Sequence, residues 1–193
     1  MKQLEERILK DGTVFGEDIL KVDTFLNHQI DVALMNEIGK VFYEKFKDKP
    51  VTKVLTIEAS GIAIGMAVAA QFGVPLVFAK KVESRNLDLK TYETQVYSFT
   101  KEKNYTVRVS KKFLSDTDQV LIVDDFLAMG RAALGLIDLV EQAKGQVVGV
   151  GIVIEKVFQE GGKLLRDRGI QLESLARIEC FSNNLPVFVK ADE

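Results

Sequence analysis

The chain has a single cysteine, Cys180, in 193 residues. No internal disulfide can form, so the core alone must hold the fold, and an unpaired thiol suits the cytoplasm. Cys180 falls in an apparent strand, Arg177-Ile178-Glu179-Cys180-Phe181, and the only histidine, His28, is distant in sequence. Cys180 therefore reads as a small core or edge residue of a strand and not as a nucleophile. No apolar run approaches the ~20 residues of a membrane span. Basic and acidic residues nearly balance, 26 against 28, with a net charge of -2. The basic excess of a dedicated nucleic-acid binder is missing. The first residues, Met1-Lys2-Gln3-Leu4-Glu5-Glu6-Arg7, alternate in charge and do not resemble a secretory signal. Prolines are few: Pro50, Pro75 and Pro186, each at an apparent element boundary. No G-x-x-x-x-G-K-[ST] pattern is present, and Gly149-Val150-Gly151 lies inside an apolar run, so neither a P-loop nor a dinucleotide fingerprint is indicated. These absences predict a cytoplasmic protein with neither nucleic acid nor membrane as partner.

What is present suits one compact domain spanning residues 1–193. The chain is 47% hydrophobic and 28% charged, enough to bury a sizeable core. No internal repeat or low-complexity linker divides it. Residues 1–10 read as a short charged helix. Over residues 30–47, Ile30, Leu34, Ile38, Val41 and Phe42 recur at helical spacing. An alternation follows: strand 52–57, helix 61–72, strand 74–79, strand 119–123, helix 131–143, strand 146–154 and helix 161–168. Continuous Val/Ile runs mean strands covered on both faces. The pattern predicts an α/β, doubly wound, mainly parallel sheet. Residues 80–112 break the pattern. Lys81-Val82-Glu83-Ser84-Arg85-Asn86-Leu87-Asp88 is polar. Residues 94–100 and 105–110 alternate like a hairpin around the turn Lys101-Glu102-Lys103-Asn104. Such an insertion is expected as an excursion from the sheet, a candidate lid or binding loop.

The chemistry concentrates at Asp124-Asp125, directly after the apolar run Val120-Leu121-Ile122-Val123. In open α/β sheets ligands bind beyond the carboxyl ends of the strands. Neighbouring strand residues point to opposite faces, so both acids can face one crevice only if the chain leaves the strand there. Carboxylates suit diol hydroxyls or a metal. The segment Ala128-Met129-Gly130-Arg131-Ala132 then precedes a helix, where free N–H groups and the helix dipole favour a phosphate. Diol acceptors followed by an anion nest fit a ribose 5-phosphate. An acidic helix cap would use the same residue types. Phospho-acceptor receiver domains also place acids at strand ends, though normally near their beginning.

Residues 120–132 resemble the phosphoribosyl pyrophosphate (PRPP) signature of type I phosphoribosyltransferases: four apolar residues, two acids, two apolar residues and a small loop. Leu20-Lys21-Val22-Asp23-Thr24-Phe25-Leu26-Asn27-His28-Gln29-Ile30-Asp31, Glu58-Ala59-Ser60-Gly61, Tyr97-Ser98-Phe99-Thr100-Lys101 and Ile154-Glu155-Lys156 together are similar to the bacterial xanthine-using branch. The resemblance covers about residues 1–188. It implies transfer of a 5-phosphoribosyl group from PRPP to xanthine in purine salvage, with Mg²⁺ accompanying PRPP, in a homodimer. It implies a type I phosphoribosyltransferase fold with a hood at residues 1–30 and a mobile flap at about 81–110. Asp124 and Asp125 should hold the ribose hydroxyls, directly or through Mg²⁺. Ala128 to Ala132 should cradle the 5-phosphate. Glu58-Ala59-Ser60-Gly61 should be the pyrophosphate loop, where the family often carries a non-proline cis bond. Leu20, Asn27 and Lys156 should surround the base. Two departures stand out. The family's loop threonines and second glycine are Met129, Arg131 and Ala132 here, so phosphate must rely on backbone N–H groups, with Arg131 as a helper. Ala128 replaces the aspartate of hypoxanthine-guanine enzymes and cannot act as a base. Guanine or hypoxanthine as acceptor, and a PRPP-sensing regulator without chemistry, are the alternatives. Such regulators normally add an N-terminal DNA-binding domain, and only about 30 residues precede the first long helix here.

Overall fold

The computed structural model describes residues 1–81, 90–98 and 103–190. The N-terminal segment is α1 (Lys2–Asp11), β1 (Thr13–Phe15), β2 (Ile19–Lys21) and one π-helical turn (Asp23–Asn27). Then come α2 (Val32–Phe46), β3 (Lys53–Ile57), α3 (Gly61–Phe72), β4 (Leu76–Lys81), β5 (Thr91–Ser98) and β6 (Lys103–Ser110). The chain finishes with β7 (Gln119–Leu127), α4 (Arg131–Gln142), β8 (Gln146–Lys156), α5 (Gly161–Asp167), β9 (Leu172–Ser182) and β10 (Leu185–Phe188).

The sheet order is β10-β9-β8-β7-β3-β4-β6-β5. The run from β9 to β4 is parallel, and β10, β6 and β5 join antiparallel at the edges. The doubly wound, mainly parallel α/β reading holds. Alternate residues of β7 feed two cores. Leu121 and Val123 pack with α2, α3 and the N-terminal segment, while Val120 and Ile122 pack with α4 and α5. No helix of the described residues is long and apolar enough to cross a membrane.

Local chemistry explains the boundaries. The expected helix over 30–47 starts at Val32, because the Asp31 carboxylate accepts the Leu34 N–H at 3.1 Å and caps it. Ile30 is thereby left outside and exposed. Pro186 is not at a boundary: it lies within β10, paired with Phe181. An edge strand tolerates the missing donor. The two short N-terminal strands and the π-helical turn were not expected, since each is too brief to show a period.

The expected hairpin exists but is no excursion. β5 and β6 pair from Thr91↔Ser110 to Ser98↔Lys103, and β6 continues the main sheet through Lys80↔Arg108 and Lys81↔Val107. Its alternation gives one apolar face, Val96, Val107 and Val109, and that face must be covered. Helix α4 covers it, with Gly135 letting Val96 approach: a Cβ there would meet Val96 Cγ2 at 2.7 Å. The remainder of the expected flap, residues 82–89 and 99–102, lies outside the described residues.

Gly149 and Gly151 have a packing reason. The rings of Phe46 and Phe42 lie on them, and a Cβ on Gly151 would meet Phe42 Cε1 at 2.8 Å. Gly151→Ala is therefore expected to overpack the core by about 1–3 kcal/mol. At about 2–4 °C per kcal/mol, thermal melting should show a drop of several degrees; an unchanged Tm would refute this packing role.

Candidate functional site

The winding reverses between β3 and β7. β3 leads outward to β4, whereas β7 leads the opposite way to β8 and β9. Beyond the carboxyl ends of these two strands the connections diverge and leave a crevice. The β3–α3 turn, Glu58-Ala59-Ser60, and the acidic pair on β7 meet there. The Glu58–Ala59 peptide is cis, as the resemblance implied. Glu58 accepts the Lys81 N–H at 2.6 Å, fastening the turn to the end of β4. Gly61 opens α3 without a side chain because Thr56 Oγ1 occupies that space, and a Cβ would also stand 3.1 Å from Asp124 Oδ1. Two segments more than 60 residues apart in sequence thus share one wall.

The strand does not stop at Val123; β7 runs through the acidic pair to Leu127. The expected departure takes a subtler form. Val123 and Phe126 face the same core, whereas Leu127 faces the other. Residues three apart on an unbroken strand face opposite ways, so the alternation slips once across Asp124-Asp125. Each acid answers the slip locally. Asp124 Oδ1 accepts the Asp125 N–H at 3.0 Å, and Asp125 Oδ1 accepts the Phe126 N–H at 2.9 Å. Only 4% of Asp124 and 9% of Asp125 are exposed, and neither forms an ion pair with another described residue. Burial, then the neighbouring Asp125 charge, pushes the Asp124 carboxyl well above the ordinary range.

After β7, Gly130 adopts φ +77° and Arg131 starts α4. The N–H groups of Met129, Gly130, Arg131 and Ala132 donate to no backbone carbonyl among the described residues. The loop is a set of free donors before a twelve-residue helix. Arg131 is less available than the sequence suggested, since its guanidinium pairs with Glu160 at 3.2 Å.

A cleft of about 660 Å³ runs from this loop to the end of β8. Ala128 to Ala132 line one end; Phe126, Lys156, Asp18 and Ile19 line the other. Lys156 Nζ donates to the Asp18 carbonyl and lies 5.9 Å from the centre of the Phe126 ring. Burial lowers the Lys156 pKa, partly opposed by the Asp18 charge. Leu20 and Asn27 do not line this cleft. Leu20 is buried in the N-terminal core beside Gly12, and Asn27 is exposed at the end of the π-helical turn. Asn27 does not cap α2, which Asp31 does. Sequence reasoning missed Asp18 and Ile19, which have no motif. It also missed the support under Lys156, where buried Glu155 receives Arg166 Nη1 and Nη2 at 2.8 and 2.9 Å. Burial works against the Glu155 charge, but the Arg166 hydrogen bonds hold its pKa below the usual range.

Acids at a switch point, followed by a nest of free N–H groups, make an arrangement suited to a sugar phosphate in an α/β protein. Residues 21–172 match the Phosphoribosyl transferase domain, and the chain belongs to that family. The xanthine phosphoribosyltransferase of Clostridioides difficile is 60% identical over 97% of this chain and 100% of its own length. That of Streptococcus pneumoniae is 55% identical over the full length of both. Among solved structures, adenine phosphoribosyltransferase from Trypanosoma brucei, in complex with AMP, pyrophosphate and ribose-5-phosphate, superposes with a TM-score of 0.76 at 18% identity. It covers 90% of this chain and 79% of that one. The enzyme from Rhodothermus marinus gives 0.73 at 24%, covering 92% and 100%. At such identities the likeness speaks for the fold.

The buried acid has a measurable signature. A carboxyl whose folded pKa lies above its unfolded value of about 3.9 destabilises the protein as pH rises from that value through the folded one. Asp124→Asn should therefore raise the Tm of the ligand-free protein at pH 7 and lose that advantage near pH 4. An Asn variant less stable than wild type at pH 7 would contradict the buried-charge account.

Proposed function

We propose that this chain transfers the 5-phosphoribosyl group of PRPP to xanthine, giving xanthosine 5'-monophosphate and pyrophosphate, in purine salvage. What carries the proposal is one cleft that runs from the donor loop, which directly follows the strand bearing the acidic pair, to Lys156 and Phe126. The name and near-complete overlap of the relatives support xanthine as the acceptor. A cytoplasmic location fits the exposed free Cys180.

In the reaction the bond from C1 of the ribose to pyrophosphate breaks and a bond to a purine nitrogen forms. Positive charge grows at the ribose and negative charge on the leaving group. Asp124 and Asp125 hold the ribose hydroxyls, and their charge favours the cationic ribose. Backbone N–H groups of Met129 to Ala132 fix the 5-phosphate without hydroxyl help. The turn Glu58-Ala59-Ser60-Gly61 faces the pyrophosphate, with Lys80 and Lys81 nearby on β4. Lys156 donates to a xanthine carbonyl and favours the anionic base, so no separate general base is assigned. Phe126 offers a ring face to the purine. Leu20 and Asn27 are proposed as hood contacts to the base, supported by the resemblance of residues 20–31 alone. Closure over the site by residues within 81–110 would exclude water.

No group of three or more metal-ligating side chains exists among the described residues. Two adjacent carboxylates alone suit Mg²⁺ that arrives held mainly by substrate oxygens and water. When bound, Mg²⁺ supplies positive charge against the pyrophosphate oxygens. A homodimer is proposed because α3 and β4 expose Met66 and Phe78, at 65% and 37%; a monomer mass by sedimentation would refute it.

The assay is nucleotide formation from PRPP, Mg²⁺ and each purine base in turn. Xanthine should be preferred. Preference for guanine or hypoxanthine would move the acceptor assignment, and PRPP binding without turnover would indicate a regulator. Asp124→Asn and Asp125→Asn should each lower turnover by about 100-fold or more, as loss of preorganised charge does. Lys156→Ala should raise the KM for xanthine far more than that for PRPP.

A further inference from the structure

Helix α5 is seven residues long, yet it touches both halves of the cleft. The N–H of its first residue, Gly161, donates to the Ala128 carbonyl at 3.0 Å. Its backbone lies flat on the loop. A Cβ on Gly161 would meet Gly130 N at 2.6 Å and Gly130 Cα at 2.9 Å, and would collide with the Ala128 carbonyl oxygen. The contact is reciprocal, since a Cβ on Gly130 would meet Gly161 Cα at 2.9 Å. Toward the other end of α5, Arg166 grips both carboxylate oxygens of Glu155. Glu155 is fully buried and adjoins Lys156 on β8. Gly162 gives that grip its room, because a Cβ there would meet Arg166 Nη1 at 2.5 Å and collide with the Glu155 carboxylate.

We infer that α5 is a bracket setting the phosphate loop in register with Lys156, with Gly161 and Arg166 as positioning residues for the transfer. The inference rests on residues 128–132 being the phosphate loop. Its physical basis is that the acceptor nucleotide is held at two ends, phosphate and base, while the new bond forms between them. A displacement of about an ångström at either end can cost about 100-fold in rate. The loop has no hydroxyl side chain to steady it or its ligand, so its shape depends on the surface beneath it. That surface is the Gly161 backbone. A bidentate guanidinium–carboxylate pair resists rotation in a way a single contact does not. It therefore fixes how α5 sits on the end of β8. The Arg131–Glu160 pair adds a tie between α4 and the residue before α5, but it is half exposed and adds little.

Hydrogen exchange of the 128–132 segment, with ribose 5-phosphate as the probe, combined with steady-state kinetics, tests this. In the wild type the ligand should protect the segment. Gly161→Ala should lose most of that protection and raise the KM for PRPP by about tenfold, while keeping a cooperative melting transition at a lowered Tm. Arg166→Lys keeps the charge but not the fork. It should raise the KM for xanthine severalfold and carry the KM for PRPP upward with it. If Gly161→Ala does not fold, Arg166→Lys decides alone. Lys163→Ala, on the exposed side of the same helix, should behave as wild type; an equal effect there would mark a general helix perturbation and overturn the bracket. Wild-type protection that survives unchanged in Gly161→Ala, with an unchanged KM for PRPP, would overturn the bracket and leave the phosphate loop standing. Absence of protection in the wild type would remove the phosphate loop and the bracket with it.

Discussion

Two carboxylates buried side by side repel each other and forfeit the water that would screen them. The end of β7 accepts that cost. The pleat slips there, each acid takes one backbone N–H from its successor, and Gly61 gives up its side chain so that Thr56 and Asp124 can lie against α3. No ion pair among the described residues neutralises the two acids, and the Lys81 charge only partly eases Asp124. A ligand that brings hydroxyl donors or a cation would do so, and binding would then stabilise the fold by mass action. The site and the strain at β7 are one feature.

The neighbouring loop solves a different problem with different means. Its donors are main-chain N–H groups, which every residue except proline possesses. That is why Met129, Arg131 and Ala132 can stand where threonine and glycine are usual. What the loop cannot vary is where two backbones meet. Gly130 and Gly161 lie so close that a methyl group on either would meet the other's Cα at 2.9 Å and force them apart. Side-chain identity is loose where the phosphate is proposed to bind and strict where the loop is supported.

This distribution decides what the sequence could reveal. The parallel strands were legible because burial on both faces leaves continuous Val/Ile runs, and the acidic pair was legible because charge directly after such a run is anomalous. Helix α3 was legible down to its first residue. The hairpin was visible, yet its attachment was not: Val96, Val107 and Val109 demanded cover, and nothing local said that α4 would supply it. The slip in β7 was invisible because it changes no residue type. Asp18 and Ile19 reach the cleft through two three-residue strands with no periodicity. Gly161 and Gly162 read as a helix start, yet Gly161 packs on Ala128 and Gly130 about 30 residues earlier, and Gly162 on Glu155 and Arg166. Nothing in the sequence around Glu155 announces that Arg166 will cover it.

In the proposed function, donor and acceptor are recognised by separate parts of one sheet. The donor half is built at the switch point, from the ends of β3 and β7, using charge and backbone geometry that the fold itself imposes. The proposed acceptor half lies at the end of β8 and the N-terminal segment, using side chains: Lys156, the Phe126 ring and the segment around Asp18. Changing the base means changing side chains that the switch point does not need. The two halves nevertheless have to stay in register, because a bond must form between the molecules they hold. β7 links them, since it carries the acids and Phe126 on consecutive residues. In the inferred bracket, α5 links them a second time from below, through contacts in which side-chain freedom is minimal. A site divided between backbone and side-chain recognition needs such rigid cross-ties, and this chain places them where glycine meets glycine and where a buried carboxylate meets a guanidinium fork.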